Sequence, residues 1–144
     1  MSTSGQPSED QLASAAADGF QVVINLATFD PERSLPDEGA SAHNHGMEYH
    51  HIPVVWDNPR DEDFSEFDRV MAGVEGKKTL VHCMANYRAT AFFALYSMKH
   101  AGWDRAKAEE FIAGTWAIGE YPAWSRFFER TAARIAARSD LRNP

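Results

Sequence analysis

The chain has 144 residues, 44% of them apolar and 12% aromatic, with a formal net charge of −7; this suits one domain, residues 1–144, around a single core. The acidic balance argues against nucleic acid or anionic lipid as main partner, and no apolar run approaches the roughly 18–20 residues that cross a bilayer. A single cysteine excludes an internal disulfide and fits a reducing compartment, or a periplasm where one thiol has no partner; with a start lacking the basic and apolar regions of a signal peptide, the expected location is cytoplasmic.

In chain order, Ser8 and Gln11 form a capping box before Leu12-Ala13-Ser14-Ala15-Ala16-Ala17, and Gly19 stops that helix. Phe20 to Leu26 is a short apolar, β-branched run that reads as a buried strand. Asp30 through Asn44 is polar and contains Pro and Gly, so it reads as a loop. Met47 to Ile52 reads as a second strand, followed by a turn-rich connector, Val54 to Arg60. Phe64, Phe67, Val70, Met71 and Val74 have helical spacing over 61–74, with Gly76 as the stop. Thr79 to Cys83 is a further strand. Helices are then expected over about 89–100, 104–115 and 122–138; the last carries Trp124, Phe127, Phe128, Thr131 and Ile135 on one side. Strands separated by helices predict an α/β fold: a central, mostly parallel sheet with helices on both faces.

Leu80-Val81-His82-Cys83-Met84-Ala85-Asn86-Tyr87-Arg88-Ala89-Thr90 carries the chemistry. Alone, a cysteine after a buried strand is most often a small core hydrophobe. Here His82 precedes it, Arg88 follows, and the context is strand, loop and helix. Amides of such a loop and the helix N-terminus carry partial positive charge, favouring an ionised sulfur and an oxyanion above it. Arg88 offers a planar fork for two oxygens of a phosphate-like group. The loop would lie at the carboxyl end of a central strand, where open α/β sheets bind ligands.

His82-Cys83, Arg88 and Thr90, followed by a helix, resemble the active-site signature of protein tyrosine and dual-specificity phosphatases. More closely, the chain resembles the bacterial beta-lactamase hydrolase-like phosphatase group. The segments carrying that likeness are Ser4-Gly5-Gln6-Pro7, Val23-Ile24-Asn25-Leu26, Ile52-Pro53-Val54, the short nucleophile loop and the spacing of Trp116 and Trp124. The wider signature has five residues between cysteine and arginine and a glycine in the loop. Here there are four, none of them glycine, and Asn86 is the residue best able to take a left-handed conformation.

The resemblance implies a phosphomonoester hydrolase, with a phosphorylated protein or small molecule as substrate and no cofactor. Cys83 would be the nucleophile of a phosphocysteine intermediate. Arg88 and the loop residues Met84, Ala85, Asn86 and Tyr87 would bind the phosphate. His82 would orient the loop, and Thr90, seven positions after Cys83, would stabilise the thiolate as leaving group. Asp57 is the best-placed general acid, its plain alternative being a solvated turn residue beside Asn58-Pro59. Asp61 and Asp63 are further candidates that fit better as first-turn residues of the next helix.

His43, His45, His50 and His51 have spacings compatible with a divalent metal, but no acidic partner or fourth ligand accompanies them, so no metal is expected. Trp56, Trp103, Trp116, Tyr121 and Trp124 read first as packing residues, with a pocket wall as the alternative. Two rival functions remain. A rhodanese-type sulfurtransferase has the same four-residue gap between cysteine and arginine. A non-catalytic phosphate- or phosphoprotein-binding domain would suit a glycine-free loop.

Overall fold

The structure, a computed structural model, describes residues 1–142 and the side chains of residues 1–138. Its centre is a four-stranded, wholly parallel sheet in the order β1-β4-β2-β3, with β1 at Ser2–Ser4, β2 at Val22–Asn25, β3 at Glu48–His51 and β4 at Thr79–His82. Every residue of β2 and of β4 is buried. Among the described residues there are six α-helices, α1 (Glu9–Ala17), α2 (Glu38–Asn44), α3 (Asp61–Gly73), α4 (Tyr87–His100), α5 (Arg105–Ala113) and α6 (Pro122–Arg142), and a 3-10 turn at Ile118–Glu120.

Alternation along β2 splits the core in two. Val22 and Ile24 join a large cluster with Phe67 of α3, Phe92 and Leu95 of α4, Ile112 of α5 and Trp124 and Phe127 of α6. Val23 points the other way, into a smaller cluster with Leu12 of α1 and Ala42 of α2. The sheet is therefore covered on both faces, as parallel sheets require. Helix α4 lies inside the larger cluster, with Ala89, Ala91, Phe92, Ala94 and Leu95 all fully buried. Its alanines let it approach the sheet, while Phe92 stacks on Phe127 with centroids 5.6 Å apart.

The local signals act as anticipated at several points. Ser8 caps α1 and both bonds of the capping box with Gln11 are present. Gly19 and Gly76 take positive φ just beyond α1 and α3, where a side chain would be strained. Asp61 and Asp63 occupy the first turn of α3.

Two elements depart from the reading of the sequence. The segment 30–44, expected to be a loop throughout, contains α2. Asp37 caps it by accepting from the Ala40 amide at 3.1 Å, and its buried face includes Glu38 and Ser41. With Ala42 the one apolar residue among its buried ones, the helix has no apolar stripe to reveal it. Strand β1, Ser-Thr-Ser, also lacks a hydrophobic pattern; it exists because the outer edge of β4 offers backbone groups in register, Ser2 to Leu80 through Ser4 to His82.

Candidate active site

Residue His82 ends β4, and Cys83 follows at the carboxyl end of a strand flanked on both sides. The segment after β1 clamps the loop that begins there. The Cys83 amide donates to the Ser4 carbonyl at 3.3 Å, and the Gln6 amide donates to the Met84 carbonyl at 3.0 Å. Gly5 sits between these bonds, so close that a Cβ on it would lie 2.7 Å from the Met84 oxygen. The turn into α4 is made at Asn86, with φ 70° and ψ 4°, the left-handed conformation anticipated for it. The first backbone bond of α4 runs from the Thr90 amide to the Asn86 carbonyl at 3.1 Å. Among the described residues, the amides of Met84, Ala85, Tyr87 and Arg88 have no backbone carbonyl partner. They form the loop and open helix end that suit an anion.

Arg88 stands in the first turn of α4 and is 6% exposed. One guanidinium nitrogen, Nη1, donates to the Val54 carbonyl at 2.8 Å, and the guanidinium carbon lies 5.9 Å from the centre of the Trp56 ring. The connector after β3 thereby holds the arginine in place. No carboxylate among the described residues pairs with Arg88 within 4 Å, so its remaining donors are uncommitted to a protein anion. A cavity of about 530 Å3 is lined on one side by Cys83, Met84, Ala85, Tyr87, Arg88 and Trp56, and on the other by residues 28–31 and Arg33. Cys83 is itself 1% exposed and forms part of that floor.

Behind the cysteine lies a buried polar chain. His82 Nδ1 faces the Cys83 carbonyl at 3.2 Å, and Nε2 faces Glu38 Oε2 at 2.6 Å. Gln6 Nε2 donates to the other carboxylate oxygen at 2.7 Å. Burial pushes the Glu38 carboxyl up, but the hydrogen bond and charge of His82 and the Gln6 amide outweigh it and hold the group below its ordinary value.

The hydroxyl of Thr90 is buried; it donates to the Tyr87 carbonyl at 2.9 Å and accepts from the Trp116 indole at 3.1 Å. In this arrangement its hydrogen is held by the loop backbone rather than turned to sulfur. Tyr87 stacks on Trp116 with centroids 4.8 Å apart and planes 6° from parallel. Trp56 packs against Tyr87, Trp116, Tyr121 and Trp124, and the Trp124 indole donates to the Trp56 carbonyl at 2.5 Å. These aromatics are thus both packing and wall: Trp56 and Tyr87 face the cavity, the others support them. Trp103 lies apart, against Phe93 and Phe111.

The candidate acids are dispersed. Asp57 is an exposed turn residue beside Trp56 and does not line the cavity. Asp61 is paired with Arg130 and Arg134 of α6, and Asp63 is buried beneath Arg60. The carboxylate that does line the cavity is Asp30. It organises its own loop, with Oδ1 accepting from the Glu32 amide at 2.9 Å and Oδ2 lying 3.9 Å from Arg33. Asp30, Arg33 and Glu38 were not singled out in the sequence. One signal pointed to the first two: their loop leaves the carboxyl end of β2, next to the nucleophile strand. Glu38 carried no local signal.

The histidines do not assemble. His50 pairs with Glu48 at 2.5 Å, His51 meets the Ala27 carbonyl at 2.6 Å, and His43 and His45 lie at the end of α2. Among the described residues, no group of three or more His, Cys, Asp or Glu side chains is placed to hold a metal ion. No helix among them is long and apolar enough to cross a membrane.

Set beside solved structures, the architecture falls among the protein tyrosine phosphatase-like α/β folds. Tk-PTP in its active form aligns with a TM-score of 0.76 over 92% of this chain and 90% of that chain, at 24% identity, a likeness of fold. Residues 1–102 match the phosphatase-like domain of the beta-lactamase hydrolase-like proteins, and the chain belongs to that family. A candidate phosphatase of the DUF442 group from Shewanella putrefaciens is 36% identical, with a TM-score of 0.85 over 92% of this chain and 83% of that one. A curated beta-lactamase hydrolase-like protein of Xylella fastidiosa is 34% identical over 112 residues, 76% of this chain and 26% of the relative; that of Agrobacterium fabrum is 28% identical over 94% of this chain and 31% of its own length. The chain therefore spans about a quarter to a third of the length of the curated relatives it matches.

Proposed function

We propose that the chain hydrolyses phosphomonoesters through a phosphocysteine intermediate on Cys83, with a phosphoprotein as the favoured substrate. The observation that carries the reading is the shared cavity. Cys83 forms its floor with Arg88 in the same lining; among the described residues Arg88 has no carboxylate partner, and the amides of Met84, Ala85, Tyr87 and Arg88 have no backbone acceptor. The Cys83 thiolate attacks phosphorus; the P–S bond forms as the P–O bond breaks. Arg88 and the loop amides hold the equatorial oxygens as charge shifts onto them. The departing oxygen takes a proton from an acid, for which Asp57 is the candidate the resemblance supplies. Water then attacks phosphorus, passing a proton to the conjugate base of that acid, and the P–S bond breaks to return the thiolate. Thr90 would assist that second step only after its hydroxyl leaves the Tyr87 carbonyl.

Hydrolysis of an aryl phosphate by the purified chain tests this reading, with thiosulfate sulfurtransfer assayed alongside. Cys83→Ser is expected to lose at least about 10³-fold in turnover while still binding phosphate, because a serine hydroxyl stays protonated in the same loop. Substantial hydrolysis by that variant rejects the cysteine mechanism, and sulfur transfer without hydrolysis supports the rhodanese-type alternative. One observation favours a second reading, a domain that binds phosphorylated partners without turnover: Asp57, the expected acid, lies outside the cavity. Phosphate binding without hydrolysis of any ester supports it.

A further inference from the structure

We propose that Glu38 is a positioning residue for the nucleophile: with His82 it forms a buried carboxylate–imidazolium pair whose positive end bears on the Cys83 peptide. The inference deepens the reading of Cys83 as nucleophile and rests on it, but concerns a residue of α2 that lies outside the signature loop.

The chemistry of the partners assigns the charges. A backbone carbonyl only accepts, so His82 Nδ1, 3.2 Å from the Cys83 oxygen, carries a hydrogen. The other ring nitrogen faces a carboxylate oxygen at 2.6 Å. Either the ring is doubly protonated beside a carboxylate, or Glu38 holds the proton and donates it. Gln6 donates to the remaining carboxylate oxygen, which favours the ionised form. Both members are buried, His82 being 0% and Glu38 6% exposed, and Glu38 also lines a pocket beside Tyr49 and His51; buried charges are screened less than exposed ones. The charged and titratable groups facing it are His51 and Tyr49 of β3 and Asp37 at the start of α2. Cys83 and Arg88 lie on the loop side, with Arg88 bonded to Val54. None of these replaces Glu38 as the acceptor for Nε2.

Two consequences reach the sulfur. First, one ring nitrogen is bonded to the nucleophile's own carbonyl, while the anion lies beyond the other. The dipole of the pair therefore presents its positive end to Cys83 and favours the thiolate. Second, a trans peptide directs its carbonyl and the next amide to opposite sides. Holding the Cys83 carbonyl at His82 turns the Met84 amide, the first of the loop, away from the histidine.

The test reads the ring and the thiol directly, without turnover. In wild-type protein labelled with nitrogen-15 in histidine, NMR is expected to show hydrogen on both ring nitrogens of His82 at pH 7; a ring with one hydrogen overturns the proposal. In Glu38→Gln, which retains side-chain size but removes the anion, the midpoint of the pH profile for Cys83 alkylation by iodoacetamide should rise by about one pH unit. At a pH at least one unit below the wild-type midpoint, the rate should then fall by about tenfold. Glu38→Asp should recover part of that loss. An unchanged or lowered midpoint in Glu38→Gln overturns the proposal, and if that variant does not fold, the wild-type ring decides. A doubly protonated ring and slowed alkylation in a chain that hydrolyses no phosphoester would sink the proposed function and leave the pair standing. An active phosphatase with a neutral ring does the reverse.

Discussion

Arg88 is held by contacts that use only part of its hydrogen-bonding capacity. Its Nη1 bond to Val54 and its place over Trp56 fix the plane of the guanidinium, and the rest of the fork is left for a ligand. Lysine keeps the charge but cannot both hold the Val54 carbonyl and grip two oxygens. Arg88→Lys is therefore expected to lower kcat/KM by roughly 10²-fold or more. Near-normal kinetics would mean that the short loop does not aim the arginine at substrate. The acid is tested by leaving group. Asp57→Asn should slow esters of poor leaving groups by about 10²-fold or more and barely affect an activated aryl phosphate, whose leaving group needs no proton. If Asp30→Asn shows that pattern instead, the acid belongs to the loop after β2 that lines the cavity.

At the scale of the element, the nucleophile loop is shaped from its two ends. Gly5 and Gln6 press on its start at Met84, and Thr90 with Trp116 braces its end at Tyr87. Between them the chain reverses at Asn86 in a conformation that most side chains resist. The Asn86 side chain makes no capping bond to α4, and its Oδ1 is buried without a partner among the described residues, so substitution there removes no hydrogen bond of that oxygen and changes the tolerance for positive φ. Asn86→Gly should leave stability within a few tenths of a kcal/mol of wild type, whereas Asn86→Ala should cost about 1 kcal/mol. Urea midpoints of the two variants check this; equal midpoints would show that the left-handed turn carries no strain.

Across the whole molecule, packing between α3 and α4 brings an ion cluster to the edge of the larger core. Asp68 of α3 meets Lys99 and, at 2.7 Å, His100 of α4. Burial pushes the Asp68 carboxyl up, but its hydrogen bonds to Lys99 and His100 prevail and hold it below the ordinary 3.8. The unfolded chain thus binds this proton more readily than the folded one. The stabilisation is complete above the ordinary carboxylate range and disappears as pH falls below about 3.8, through the folded value. Asp68→Asn should therefore lower Tm at pH 6 and flatten the fall in Tm between pH 5 and about pH 3. A parallel fall in both proteins would assign the acid limb to other carboxyls.

What the sequence by itself determined about this protein are the features whose causes are local. Helical spacing, the Ser8 capping box, the glycine stops and the β-branched runs marked α1, α3 to α6 and β2 to β4. The order of strands and helices then led to a parallel sheet, with Cys83 at the carboxyl end of one strand. Asn86 was legible as the left-handed residue because its side chain alone sets that tolerance. The tertiary structure alone decided what depends on partners distant in the chain. Strand β1 forms because β4 has an open edge. Helix α2 buries Glu38, whose partner His82 is 44 residues away, and polar burial leaves no periodic signal. The Val54 carbonyl that holds Arg88 is 34 residues from it. Asp57 lies outside the cavity although its neighbour Trp56 lines it, and Asp30 lines it from the loop after β2, which no spacing within either loop records.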